Sequence, residues 1–119
     1  MRVSGTRMIL ADANGGIGVV LLDAGPDGLF NTADDRARQL TIHARSLASE
    51  VAVAGDWAAW LDTGAPGGDQ VFLLHGLDGA PMQLTASTSA KGHLALDPDG
   101  RVHWLDAVMS PQAIMTFVP

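Results

Sequence analysis

The stretch Val51-Ala52-Val53-Ala54-Gly55-Asp56-Trp57-Ala58-Ala59-Trp60-Leu61-Asp62 decides the fold, because it returns as Leu94-Ala95-Leu96-Asp97-Pro98-Asp99-Gly100-Arg101-Val102-His103-Trp104-Leu105-Asp106. Trp60 and Trp104 are 44 residues apart, and so are Asp62 and Asp106. Gln39-Leu40-Thr41 comes back at the same interval of 44 as Gln83-Leu84-Thr85. An earlier copy is Ser4-Gly5-Thr6-Arg7-Met8-Ile9-Leu10-Ala11-Asp12, with Leu10 at the Trp position and Asp12 at the Asp position. It lies 50 residues before the middle copy because it carries a longer internal loop. Val19-Val20-Leu21-Leu22 then matches Val71-Phe72-Leu73-Leu74. Anchors that keep their order and nearly their period mark a repeat architecture.

Each full repeat reads as four short strands. In the middle copy they fall at about Glu50–Ala54, Trp57–Leu61, Gln70–His75 and Met82–Thr85, separated by Gly-, Pro- and Asp-rich turns. The third of these is apolar on consecutive residues, so both of its faces require burial. Of 13 acidic residues twelve are Asp, and there are 14 Gly and 6 Pro. Asp competes for nearby backbone groups and favours turns over helix interiors. No segment carries a capped apolar stripe of helical period. The expected class is all-β. A four-stranded unit of this length, packed between copies of itself, is a β-propeller blade.

Composition removes several function classes. With 119 residues the chain makes one modest unit. Seven Lys and Arg against thirteen Asp and Glu, with no basic cluster, argue against a nucleic-acid surface. No apolar run approaches the roughly 20 residues of a membrane span. The absence of Cys excludes disulfides and a thiol nucleophile.

The pattern Gly55-Asp56 … Trp60-x-Asp62 … Val71-Phe72-Leu73-Leu74 … Gln83-Leu84-Thr85 resembles the TolB-like, WD40-like propeller repeats of bacterial periplasmic and extracellular proteins. The resemblance covers nearly the whole chain, with Leu10 in place of Trp as the departure in the first copy. It implies blades at about residues 1–41, 48–85 and 92–119 of a single propeller segment, the first and last incomplete. Closed propellers take about 4–8 blades. The arc is therefore part of a larger propeller or closes by self-association, two copies giving six blades. In that dimer the N-terminal stub, residues 1–3, pairs at the partner's incomplete third blade. The resemblance also implies a periplasmic or extracellular setting, whereas the short run Met8-Ile9-Leu10 is too brief for a secretory signal, so the compartment stays open.

One loop stands outside the repeat. Counting from Asp23, oxygen-bearing side chains fall at Asp23, Asp27, Asn31 and Asp34, with Asp35 next and Gly28 at the centre. This spacing is close to that of a twelve-residue calcium loop and makes calcium the one expected cofactor. Against it stand Gly25 where an acid is usual, Pro26, and Asp34 in place of a bidentate Glu. The other reading is a long hairpin loop whose Asp residues form Asx-turns.

The recurring Asp12, Asp62 and Asp106 allow two readings as well. They form a carboxylate ring at a propeller mouth that binds a cationic group or a sugar, or they close the turn after the second strand of each copy. Trp60 and Trp104 read as core, and His103 as a hydrogen-bonded structural histidine. No nucleophile elbow or metal-spaced His set is present, and no catalytic residue is assigned. The functional expectation is a non-enzymatic binding or scaffold module with a protein, peptide or glycan ligand. The alternative is the cap or partial propeller of an enzyme, a prolyl-oligopeptidase-like peptidase or a propeller glycan hydrolase or lyase.

Overall fold

The structure is a computed structural model that describes residues 2–4, 7–12, 18–24, 36–41, 51–62, 70–76, 78–86, 91–106 and 113–119. Among these residues eleven strands pair antiparallel into three sheets. The first holds β1 (Arg2–Ser4), β2 (Arg7–Asp12), β3 (Gly18–Asp23) and β4 (Arg36–Thr41) in chain order. The second holds β5 (Val51–Ala54), β6 (Trp57–Asp62), β7 (Gln70–His75) and β8 (Met82–Gln83). The third holds β9 (Lys91–Leu96), β10 (Val102–Asp106) and β11 (Ala113–Phe117). The all-β class is as the sequence implies. No helix occurs among the described residues, hence none long and apolar enough to cross a membrane. The three sheets do not close on themselves.

The middle copy forms its strands close to where turn chemistry and apolar runs place them, with one informative exception. The ladder between β7 and β8 stops at Gln83, two residues before Thr85. The Leu84 N–H still donates to Val71 O at 2.8 Å, but the Val71 N–H turns to Thr85 Oγ1 at 2.9 Å. At the corresponding place the first sheet steps in register: Val20 faces Gln39 and Val19 faces Thr41, leaving Leu40 between them. Where a ladder ends, a side chain can serve the backbone group that the partner strand no longer meets.

The N-terminal stub forms β1, the first strand of the first sheet, where it pairs with β2 with Val3 opposite Met8. Both β1 and β2 contact β5 of the second sheet.

The sheets stack face to face. Between the first and second, Ile9 and Leu21 meet Val51, Ala58, Trp60 and Leu74, all almost fully buried. Between the second and third, Ala59, Leu61, Val71 and Leu73 meet Leu94, Val102 and Trp104. Side chains alternate along a strand, so β6 and β7 send one set of residues to each neighbour. The Trp60 ring stacks on Phe72 with centroids 5.6 Å apart. Each large apolar side chain so buried contributes about 1.5–3 kcal/mol.

Polar links reinforce the first contact. Arg7 Nη2 lies 3.6 Å from Asp56 Oδ1, Arg36 Nη2 lies 2.6 Å from Asp78 Oδ1, and Arg38 donates to the Gly79 carbonyl. Their exposed partners limit each ion pair to about 0–1 kcal/mol, so they align the sheets more than they hold them. At the second contact Trp57 does this work by packing against the β9–β10 turn.

Gly100 in that turn has φ +90°, and a Cβ there meets Trp57 Cε2 at 2.5 Å. Gly76 has φ +77° with nothing within 4 Å of a built Cβ. Urea denaturation is expected to show Gly76→Ala losing about 1 kcal/mol from backbone strain alone. Gly100→Ala is expected to lose about 3 kcal/mol because overpacking adds to that strain. Equal losses would mean that Trp57 does not constrain the turn.

The indole N–H groups of Trp60 and Trp104 are buried with no hydrogen-bond partner among the described residues. Trp60→Phe removes such a group while keeping a ring, and its stability is expected within about 1 kcal/mol of the parent. Trp60→Ala, which empties the site, is expected to lose about 3–5 kcal/mol. Thermal and urea unfolding of both variants checks the pair.

Candidate functional site

Asp12, Asp62 and Asp106 end β2, β6 and β10, the second strand of each sheet. Asp62 is 4% and Asp106 8% exposed. Asp62 shares the parity of Ala58 and Trp60 and faces the first sheet; Asp106 shares that of Val102 and Trp104 and faces the second. Neither residue lacks an interaction partner. Asp62 stands directly across from Gln70, and Asp106 directly across from Lys91. Gln70 and Lys91 are themselves buried, at 0% and 6% exposure. A charge in such a place needs an opposite charge or hydrogen bonds close by, and the cross-strand register supplies neighbours of that kind. Of Asp12 the structure describes the backbone position only.

The polar centre that is visible in full is built on Thr85. Its hydroxyl accepts from the Val71 N–H at 2.9 Å and donates to Gln70 Oε1 at 2.6 Å. Gln83 Nε2 donates to the Thr85 carbonyl at 2.7 Å. One hydroxyl thus serves both the Val71 backbone N–H and a fully buried amide. Neither Gln70 nor Lys91 was a site residue on the sequence reading. The repeated Gln-Leu-Thr carried a signal for Thr85, but Lys91 has no counterpart in the other copies to betray it.

Of the five residues of the calcium-type loop, Asp23 is described; Asp27, Asn31, Asp34 and Asp35 lie outside the described residues. The Asp23 carboxylate faces the Arg7 guanidinium, Nε to Oδ2 3.3 Å, with both side chains largely buried. Arg7 lies between Asp23 and Asp56 and so ties the end of β3 to the second sheet. Among the described residues no group of three His, Asp or Glu side chains is arranged to hold a metal ion.

His103 is hydrogen-bonded, as its position in a strand suggested. Its Nε2 lies 3.0 Å from Asp97 Oδ2 and its Nδ1 3.1 Å from Thr116 Oγ1. A hydroxyl, an imidazole and a carboxylate in line are the groups of a hydrolytic triad. Here they lie on an open sheet face, with His103 33% and Asp97 49% exposed, where water competes for each hydrogen bond. His103 and Thr116 take the places that apolar Ala59 and Leu73 occupy in the second sheet.

No protein-family model, curated protein or solved structure matches the chain.

Thr85→Val keeps the shape and removes the hydroxyl, so Gln70 and the Val71 N–H each lose the hydrogen bond made to it. The expected loss is about 1–3 kcal/mol. In a double-mutant cycle with Gln70→Leu, a coupling of about 1 kcal/mol is expected. Additive losses in urea unfolding would show that the two side chains act independently.

Proposed function

We propose that the chain is a non-enzymatic scaffold or binding module of propeller type that closes by stacking on a second copy. One observation carries this reading: the positions that join the sheets inside the chain recur, uncovered, at its two ends. Ile9 and Leu21 of the first sheet correspond to Ala59 and Leu73 of the second, and each pair faces the sheet that follows. Ala58 and Trp60 of the second correspond to Val102 and Trp104 of the third, and each pair faces the sheet that precedes. On the outward side of the third sheet, Leu105 and Ile114 hold the places of Leu61 and Val71. On the outward side of the first, Met8, Val20 and Leu22 hold the places of Ala58, Phe72 and Leu74. Ile114 is exposed and the other four are half-buried, whereas Leu61, Val71, Ala58 and Leu74 are almost fully buried.

The two ends therefore carry the two halves of one sheet-to-sheet contact. Such a head-to-tail contact is heterologous, and it makes a closed ring if the rotation closes. Two copies bring six sheets together, within the range of closed propellers. His103 fits this contact although it is polar, because both of its ring nitrogens are already bonded within the chain. The buried Asp62 and Asp106 belong, on this reading, to the joints between sheets. A rigid ring of this kind displays its connecting loops to a protein, peptide or glycan partner.

Light scattering tests the assembly. The expected mass is twice 12.4 kDa, independent of concentration over the measurable range. Leu22→Glu and Leu105→Glu, on opposite outward faces, are each expected to give a 12.4 kDa species with an unchanged β-type circular dichroism spectrum. A parent chain that stays at 12.4 kDa up to its solubility limit would sink the reading.

A further inference from the structure

We propose that Asp78-Gly79, in the turn after β7, is a site of spontaneous covalent rearrangement, aspartate to isoaspartate, that loosens the contact between the first and second sheets. That contact itself puts the reactive pair there. Arg36 of β4 binds the Asp78 carboxylate, Nη2 to Oδ1 2.6 Å, and Arg38 donates to the Gly79 carbonyl. A carboxylate is therefore in use at 78. At 79 a Cβ would run into the His75 carbonyl oxygen, a main-chain atom that cannot swing aside, so the position requires glycine.

Glycine after aspartate leaves the next amide nitrogen uncrowded. The Gly79 nitrogen attacks Asp78 Cγ; a C–N bond forms, one Cγ–O bond breaks, and water leaves with the amide proton, closing a five-membered succinimide. Water then opens the ring. Addition at Cγ restores aspartate. Addition at the Asp78 main-chain carbonyl breaks its bond to the Gly79 nitrogen and leaves the chain running through Cβ and Cγ. One water is lost and one gained, so the mass is unchanged and no oxidant or cofactor enters. The product has one more carbon in its main chain and a free α-carboxylate in place of the β-carboxylate. Arg36 and Arg38 then lose both acceptors from the places they held.

The fold selects this pair over others. Asp-Gly occurs at 27–28, 78–79 and 99–100, and the last two lie among the described residues. At 99–100 the Gly100 N–H donates to Asp97 O at 2.9 Å. Arg101 engages both Asp99 oxygens, its N–H on Oδ1 at 3.3 Å and its Nε beside Oδ2 at 3.2 Å. Gly100 is also buried against Trp57. At 78–79 the bond from the Gly79 N–H to Gly76 O is 3.3 Å long, beyond the usual range, and the Asp78 side chain is 80% exposed. The attacking nitrogen is less restrained there, and water reaches the ring.

The chain is held for several weeks at neutral pH and body temperature, both folded and in concentrated urea. Its peptides are then fragmented by electron transfer, which cleaves the additional main-chain bond of an isoaspartyl residue and so locates it. In the folded chain isoaspartate is expected to form about five- to tenfold faster at residue 78 than at residue 99, the factor carried by one well-made hydrogen bond. In urea the two rates are expected to converge, because the restraint on Gly100 is gone. Arg36→Ala frees the Asp78 side chain and is expected to raise its rate about two- to fivefold, the reach of an exposed ion pair. The isoaspartyl form, separated by chromatography, is expected to exchange its β4 amides about fivefold faster than the parent. Asp78→Glu keeps a carboxylate for Arg36 but would have to close a six-membered ring, which is far slower, and is expected to hold its β4 protection through the same weeks. Should that variant unfold, the separated forms of the parent chain decide the point. Residue 99 reacting as fast as residue 78 in the folded chain, or no isoaspartate at 78, would overturn the assignment. Unchanged β4 exchange in the isoaspartyl form would overturn its effect on the contact.

Discussion

The burial of both faces of the β6–β7 hairpin is the constraint on which the other elements depend. Trp60 and Leu74 point one way, Leu61, Val71 and Leu73 the other, and all five are almost fully buried. A sheet with two apolar faces has no stable existence alone in water. It needs a neighbour on each side, and the first and third sheets are those neighbours. Each of them has one face covered in return and one left facing outward.

The joints between sheets follow one geometrical rule with different chemistry. Arg7, Trp57 and Arg101 hold equivalent positions just before or at the start of the second strand of each sheet. Arg7 reaches Asp56 in the first turn of the second sheet, and Trp57 packs on Gly100 in the first turn of the third. Among the described residues Arg101 meets no following sheet, and it pairs with Asp99 of its own turn, both half-exposed. An ion pair and an aromatic contact thus fill one structural role, because what the joint needs is a long side chain spanning the gap between neighbouring turns.

Polar groups collect where the strands end. Asp62, Gln70, Lys91 and Asp106 are buried there, each with a partner. Thr85 shows how such a place is satisfied, since one hydroxyl is donor and acceptor at once. Buried polar groups of this kind make the stacking of sheets specific where apolar contact alone tolerates sliding.

The repeat, the strand positions of the middle copy and the all-β class are legible in the sequence because they rest on local signals: turn residues, apolar runs and a fixed interval between Trp60 and Trp104. The recurrence of Asp at the end of the second strand was equally plain, and so was Gln-Leu-Thr. What the recurrence is for could not be read there. A carboxylate at a mouth and a carboxylate in a joint have the same sequence; their burial is set by the alternation of faces and the covering sheet, which put Asp62 and Asp106 at 4% and 8% exposure. The register step at Leu40 was hidden for a related reason, since it shows only when the partner strand is present. Likewise Lys91 reads as an ordinary surface lysine until Asp106 stands across from it. By itself the sequence determined the number of copies, the strands and their apolar faces, through short-range backbone preference and side-chain period. Tertiary structure alone decided which face meets which and which polar groups the stacked sheets enclose, because those depend on contacts between residues some 40 to 50 positions apart.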